Sequence, residues 1–106
     1  TPQELALQDV KRGIAMFDKL NTKIIGLVDN MSFFRGDDGK KYHIFGEGGV
    51  KRTAEEFNKD FLGEIPINSE VGACNDKGIP IVEKYPNHEI SKIYLELSKK
   101  IISIYF

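Results

Sequence analysis

The chain has 106 residues, which bounds it to a single domain, since domains average about 100 to 200 residues. Its 15 Lys and Arg residues and 16 Asp and Glu residues give a net charge of −1, and 41% of its residues are hydrophobic. This composition is typical of a globular protein with a packed core, and it excludes disordered and collagenous classes. The near-zero charge disfavours a nucleic-acid or anionic-membrane partner.

Cellular location can be predicted from two further features. The longest uncharged apolar run, residues 24–28, is far shorter than the ~20 residues of a membrane span. Cys74 is the single cysteine of the chain, so no intramolecular disulfide can form. A reducing compartment is therefore expected, and the predicted location is cytoplasmic.

Three stretches show the 3.6-residue hydrophobic spacing of amphipathic helices. The first begins on a capping box at residues 1–4 (Thr-Pro-Gln-Glu) and runs to about Leu20. The second covers residues 50–57, and the third is a long C-terminal helix over residues 90–104. The predicted buried stripe of the first helix comprises Ala6, Val10, Ile14, Phe17 and Leu20.

Two short segments rich in β-branched and apolar residues predict parallel strands buried between helices. Residues 22–28 form the first, and residues 61–65 form the second. Pro66 is expected to close the second strand, because proline cannot donate a hydrogen bond to a ladder. Between the two strands, the Gly-Asp-Asp-Gly sequence of residues 36–39 lies between aromatic runs and predicts a hairpin.

The segment after Pro66 predicts a short helix and an extended piece. Asn68 or Ser69 can cap a helix that runs to about Asp76, and Gly78 can end it. Residues 79–82 then read as extended chain, expected at an edge of the sheet because they contain a proline.

The order of helices and strands is the α/β pattern, in which right-handed crossovers give a mostly parallel sheet flanked by helices. Two or three strands are fewer than such sheets usually contain. A chain that opens on a helix cap without an initiator Met is expected to be part of a longer protein. The further strands are therefore expected upstream, with residues 1–106 as the C-terminal portion of one domain.

The candidate binding site lies where the two predicted strands end. In open α/β sheets ligands bind beyond the carboxyl ends of the strands, which selects residues 29–32 and residues 66–68. Asn30 offers a donor and an acceptor in one plane, the complement of the N6 and N7 edge of adenine. Structural roles are alternatives to ligand binding for both residues. Asn30 can bond its own backbone in a turn, and Pro66 can serve as a strand terminator.

A glycine-rich stretch, residues 46–53, precedes the second helix as a phosphate cradle would. A Walker A loop requires Gly-Lys-Ser/Thr at its end, but Gly49 is followed by Val50. The stretch therefore predicts a flexible helix entry, and the P-loop is absent.

The remaining reactive residue types favour structural roles. Asp37 and Asp38 are typical of a hairpin tip, and His43 alternates with apolar residues, so a metal site is not predicted there. His88 opens a helix and Cys74 lies within one, neither with a nucleophile or base at useful spacing. We predict no catalytic and no metal-binding residues in this chain.

Five motifs follow one another in a fixed order and spacing. They are TPQELALQD at residues 1–9, DNMSFF at 29–34, HIFGEGG at 43–49, FLGEIP at 61–66 and DKGIPIV at 76–82. Together they resemble the C-terminal part of the Mrp/ApbC-type proteins, which are ATP-binding iron-sulfur cluster carriers related to MinD and ParA. The resemblance covers essentially the whole chain.

The resemblance implies a Rossmann-like P-loop NTPase fold in which the P-loop, switch regions and Walker B aspartate precede residue 1. Asn30 then resembles the base-reading Asn, and Pro66 with Ile67 resembles the loop that packs against the adenine ring. The implied cofactor is ATP, with Mg supplied by the preceding part of the protein. The chain alone is not expected to hydrolyse ATP, because it lacks a phosphate cradle.

The resemblance also implies a homodimer and iron-sulfur acceptor proteins as partners. Relatives commonly carry a Cys-x-x-Cys that can hold a bridging cluster, but residues 35–41 contain no thiol, and Gly72 stands where relatives usually show Arg. The absent Cys pair argues against a cluster held here and leaves open a second hypothesis, a MinD- or ParA-like switch that acts on protein partners. A third hypothesis is an α/β interaction module without a nucleotide role.

Overall fold

The computed structural model describes residues 2–106. Thr1, which contributes the hydroxyl of the expected capping box, lies outside the described residues. Three strands form one sheet in the order β2-β1-β3. The elements are α1 (Pro2–Lys19), β1 (Leu27–Arg35), β2 (Lys41–Tyr42), α2 (Gly49–Glu56), β3 (Phe61–Ile67), α3 (Ser69–Lys77), α4 (Ile81–Lys84) and α5 (Glu89–Tyr105).

The sheet confirms the α/β class and the parallel central pair. β1 and β3 run parallel, with Leu27 opposite Phe61 at one end and Asn30 opposite Ile65 further along. β2 is antiparallel to β1 and pairs Tyr42 with Phe34, so the hairpin predicted from the Gly-Asp-Asp-Gly turn is confirmed.

The predicted bounds of the first strand were wrong. Residues 22–26 are outside the sheet, and β1 begins at Leu27, whose amide donates to the carbonyl of Asp60 at 2.8 Å. Its partner β3 begins only at Phe61, so the described chain offers no parallel partner to residues before 27. β1 then extends to Arg35 because its last residues pair with β2.

Both predictions made from prolines were also wrong. β3 continues through Pro66 to Ile67. Within the described residues β3 is an edge strand, with β1 as its neighbour. The β1–β3 register is irregular opposite Pro66, so proline is accommodated at this edge position. Residues 79–82 are not an edge strand, because Pro80 is the N-cap of the helical turn α4, where its fixed φ suits a helix start.

The hydrophobic core lies on both faces of the sheet. On one face Ile14 of α1 and Ala54 of α2 are buried with Leu27 of β1. The larger cluster lies between the sheet and α3, α4 and α5, and it includes Cys74, which is 2% exposed as expected of a structural cysteine. The buried members of this larger cluster are Leu62, Ile65, Cys74, Ile81, Ile90 and Leu97.

The predicted apolar stripe of α1 is mostly exposed in this structure. Ile14 is buried, whereas Val10 and Phe17 are 39% and 41% exposed and Leu20 is 66% exposed. α1 packs against α2, and the described residues place no further element over the rest of its apolar face. The stripe is therefore correct as a helix signal and wrong as a burial prediction.

Gly72 within α3 and Gly78 at the C-cap of the same helix give a stability prediction. Gly78 caps the helix at φ 69°, so Gly78→Ala should lower the free energy of unfolding by about 1 kcal/mol. Gly72 lies inside the same helix with open space around its Cα, so Gly72→Ala should raise it by about 0.5–1 kcal/mol. Denaturant unfolding of the two variants measures both effects, and equal shifts of the same sign would contradict the assigned cap.

Candidate functional site

Asn30 lies within β1, at a kink of the strand. Residues 29–32 were expected to follow the strand, but they belong to it, and the pairing with β3 is irregular between Asn30 and Phe34. Met31 adopts φ 57°, a left-handed conformation that L residues rarely adopt. The Asn30 Oδ1 accepts a hydrogen bond from the Met31 amide at 3.0 Å. The turn role considered for Asn30 is therefore present.

This backbone contact leaves Asn30 able to bind a ligand. An amide oxygen has two lone pairs and its NH₂ group carries two donors, so one hydrogen bond uses a fraction of the capacity of the side chain. Asn30 is exposed. A base edge that offers one donor and one acceptor can still be matched by the exposed amide.

A groove of about 310 Å³ lies beside Asn30, between α1, β1 and the start of α2, and is called the α1–β1 groove. Its size falls within the range of small-molecule sites, which combine apolar walls with a few polar groups. The polar residues that border it are Gln3, Asp29, Asn30 and Ser32, and the apolar side chains are those of Ala6, Leu7, Val10, Met31, Phe45 and Val50.

Pro66 and Ile67 lie on the neighbouring strand at the same level as Asn30. Ile65 is opposite Asn30 in the register, so Pro66 is the next residue along β3. Pro66 is buried and Ile67 is half-buried. The sheet thus brings the three predicted residues to adjacent strands, but Asn30 borders the α1–β1 groove and the other two do not. Their role in binding remains a prediction.

Asp29 lies in the predicted segment 29–32, but the sequence assigned it no individual role. Burial raises the pKa of its carboxyl above the ordinary value, and the nearby Glu64 raises it further. The Ser32 hydroxyl and His43 act in the opposite direction and lower this pKa. Asp29 lies opposite Glu64 in the parallel register, a juxtaposition of two carboxylates that the linear sequence does not reveal.

The raised pKa of Asp29 predicts how stability responds to pH. The folded state holds the Asp29 proton more tightly than the unfolded state, so this residue favours folding below its unfolded pKa, and the contribution is lost as pH rises through its folded pKa. Asp29→Asn should remove this contribution. As the pH rises from about pH 4 to pH 7, the free energy of unfolding should therefore decrease less steeply for the variant than for the wild type. Parallel profiles for the two proteins would contradict the burial of this carboxyl.

His43 and the hairpin acid Asp38 make separate sets of contacts. His43 contacts Phe33 and approaches Glu47 at 3.6 Å, while its Nδ1 is buried and finds no hydrogen-bond partner among the described residues. Asp38 accepts hydrogen bonds from the Tyr42 hydroxyl and the Lys40 amide, and both lower the pKa of Asp38. The bond with Asp38 raises the pKa of Tyr42. Across residues 2–106, no three His, Cys, Asp or Glu side chains are grouped to hold a metal ion.

The glycine-rich stretch forms the entry to α2. Gly48 is the N-cap at φ 75°, and its carbonyl accepts from the Arg52 amide. The Arg52 guanidinium donates to the carbonyl of Glu47 at 3.0 Å. These contacts order the turn within the chain and support the structural interpretation of the glycines.

The strands β1 and β3 are parallel, are flanked by helices and carry polar side chains near the point where their pairing becomes irregular. Parallel strands flanked by helices are the arrangement in which α/β proteins bind ligands. A family profile described as NUBPL iron-transfer P-loop NTPase, of the ParA group, matches residues 1–102. The chain belongs to this family, and the predicted resemblance to cluster-carrier P-loop ATPases is confirmed.

Individual relatives agree with the family assignment. An iron-sulfur cluster carrier protein from Aquifex aeolicus is 42% identical over 100 residues, which are 93% of this chain and 28% of that protein. The iron-sulfur cluster transfer protein NUBPL of Dictyostelium discoideum is 43% identical over 103 residues, which are 96% of this chain and 32% of that protein. The chain therefore spans about a third of the length of these relatives.

A solved structure confirms the fold class. The nucleotide-binding protein from Archaeoglobus fulgidus, in complex with ADP, has a TM-score of 0.60 and 35% sequence identity to this chain. The match covers 74% of this chain and 32% of the other. Among residues 2–106, no helix is both long and apolar enough to cross a membrane.

Proposed function

We propose that this chain supplies the adenine side of the nucleotide site in an ATP-binding iron-sulfur cluster carrier. The observation that carries the proposal is the exposed Asn30 amide at the kink of β1, beside the α1–β1 groove. The amide reads the base edge, while Pro66 and Ile67 on the adjacent strand pack against the ring. The names of the relatives and the ADP in the Archaeoglobus fulgidus structure support this proposal.

The proposal divides the site between two parts of one domain. Residues 1–106 form its C-terminal portion, and the P-loop and the ligands of Mg belong to the preceding part. Phosphoryl transfer depends on positioning and on stabilising charge around the phosphates. The base contacts provided here supply affinity and selectivity, so this chain alone binds nucleotide weakly and does not hydrolyse it. We place the protein in the cytoplasm, as a homodimer that serves iron-sulfur acceptor proteins.

The cluster, as cargo, is not held by residues described in this chain. Residues 35–41 contain no thiol. Arg35 donates to Glu89 of α5, and Asp38 accepts from the Tyr42 hydroxyl of β2. Cys74 is 2% exposed and packs in the core. A thiolate ligand must be deprotonated and reachable by the metal, so the cluster ligands of a carrier would lie outside this chain.

The test is an ATP titration together with iron and sulfide assays on one anaerobically purified sample of the full-length protein. The proposal predicts ATP binding and stoichiometric iron and sulfide. Absence of ATP binding would overturn the nucleotide site itself.

A second candidate is favoured by the thiol-free loop at residues 35–41. A MinD- or ParA-like ATPase uses ATP to switch its contacts with protein partners and needs no cluster. ATP binding without iron or sulfide in the same sample would support this function and contradict cluster carriage.

A further inference from the structure

The strand β3 has a free edge within the described part of the chain. β1 pairs with one side of β3, and no other described strand lies on the opposite side. A groove of about 640 Å³ lies between β3 and α5 and is called the β3–α5 groove. Leu62, Gly63 and Glu64 line it from β3. Three consecutive residues indicate that the groove meets the edge of the strand, because a sheet face would expose alternate residues.

One ammonium group contacts the strand backbone in this groove. Lys100 Nζ donates to the carbonyl oxygen of Leu62 at 2.6 Å, and the contact is partly buried. The neighbouring Lys99 pairs instead with Glu96, at 3.1 Å. Among residues 2–106 no carboxylate forms an ion pair with Lys100, so its charge acts on the backbone of β3.

A strand that pairs with β3 has to compete with this ammonium. An added strand donates its own amides to the carbonyls of the edge, which are otherwise a template for another chain. It must therefore displace Lys100 from Leu62 or bury the ammonium in the new interface. Displacement breaks a charge-assisted hydrogen bond, and burial takes the charge out of water. Lysine side chains protect the edge strands of many proteins by this means.

The far end of β3 has a different protection. Pro66 has no amide hydrogen to donate, so a partner strand finds an incomplete edge there. Residues 62–64 include no proline, and Gly63 has no side chain that would keep another backbone at a distance. This part of the edge therefore depends on Lys100.

A second copy of this chain is the partner that the edge fits. Two β3 strands related by a twofold axis near Gly63 would run antiparallel, so the same edge serves both copies. Glu64 and Lys92 line the groove with opposite charges, and the axis can place the acid of one copy near the base of the other. Neither residue forms an ion pair within residues 2–106, so both charges are available.

We propose that Lys100 protects the free edge of β3 from pairing with β3 of a second copy of this chain. The chain resists self-association at this edge while the ammonium stays on the Leu62 carbonyl. This role is independent of the nucleotide site, because neither Lys100 nor Leu62 borders the α1–β1 groove.

Sedimentation velocity of the full-length protein at increasing concentration tests this role. Lys100→Met removes the ammonium and keeps an unbranched side chain of similar length. We expect the variant to self-associate with a dissociation constant about tenfold to a hundredfold lower than that of the wild type, the scale of one charge-assisted hydrogen bond. The difference between the two proteins is the readout, so the test also holds for a full-length protein that already forms another dimer.

Three further variants separate edge protection from a general change of the surface. Lys99→Met adds the same apolar group one residue away, where the side chain is 72% exposed, and should associate as the wild type does. Lys100→Arg keeps a cationic donor and should also match the wild type. Lys100→Ser removes the ammonium without adding an apolar group, so it should associate more strongly than the wild type even if methionine is not tolerated at this position.

Hydrogen exchange locates the interface. In Lys100→Met, amides within residues 61–65 should exchange more slowly as the protein concentration rises, because pairing shields the edge. If Lys100→Met and Lys100→Ser associate no more strongly than Lys99→Met, the protective role is overturned. Association that leaves the exchange of residues 61–65 unchanged would overturn it as well, since the contact would then lie elsewhere.

Discussion

Replacing Ile90 with alanine is expected to lower the free energy of unfolding by about 2–5 kcal/mol, the usual cost of such a truncation in a core. Ile90 is 0% exposed and belongs to the cluster in which α5 packs against Leu62 and Ile65 of β3. The truncation removes apolar contacts and leaves a cavity in the cluster that joins α5 to β3. Urea unfolding of the wild type and variant measures the difference directly.

Ile102 provides a matched control on the same helix. Its side chain is 55% exposed, so Ile102→Ala should change the free energy of unfolding by less than about 0.5 kcal/mol. Equal losses in the two variants would contradict the orientation of α5, because they would mean that the face with Ile102 is buried as deeply as the face with Ile90.

Asn30→Ala should weaken ATP binding by the full-length protein about tenfold to a hundredfold, on the scale of about 1–3 kcal/mol for one amide that pairs with an adenine edge. The amide donates and accepts in one plane, and alanine does neither. Calorimetric titration with ATP gives the change. Inorganic triphosphate, which has no base, should bind both proteins equally, because the proposed role of Asn30 is restricted to the base.

Two further variants distinguish base recognition from the local turn. Asn30→Asp keeps an oxygen that can accept from the Met31 amide, as Oδ1 does in the structure, but it lacks the NH₂ donor. Base recognition therefore predicts that Asn30→Asp also loses ATP affinity. Asn75→Ala removes an exposed amide on α3 and should bind ATP as the wild type does. Wild-type affinity in both Asn30 variants would show that the base is read elsewhere.

Local signals in the sequence predicted elements whose geometry is determined locally. Asn68 caps α3 and Gly78 ends it, as expected, since both act through their own backbone neighbours. The hairpin also formed where the Gly-Asp-Asp-Gly turn places it. Strand bounds depend instead on distant partners, and for that reason β1 begins at Leu27, opposite the start of β3, although residues 22–26 have the composition of a strand.

The sequence predicted which segments lie near the candidate site, but it did not predict their backbone conformation or their tertiary contacts. The rule that ligands bind at strand ends selected residues 29–32 and 66–68. The structure places Asn30 on β1, Pro66 and Ile67 on the adjacent β3, and Asn68 at the N-cap of α3. The left-handed Met31 carries no sequence signal, because methionine rarely adopts that conformation. The pairing of Asp29 with Glu64 and of His88 with Glu70 arises from tertiary structure, so neither could be inferred from spacing along the chain.

The central claim is that this chain carries the base side of the nucleotide site. Photolabelling of the full-length protein with 8-azido-ATP, followed by mass mapping of the labelled peptides, tests it most directly. The label should fall on peptides that contain residues 29–31 or 66–68, and excess ATP should prevent it. Labelling that ATP prevents but that lies wholly outside residues 1–106 would contradict the claim.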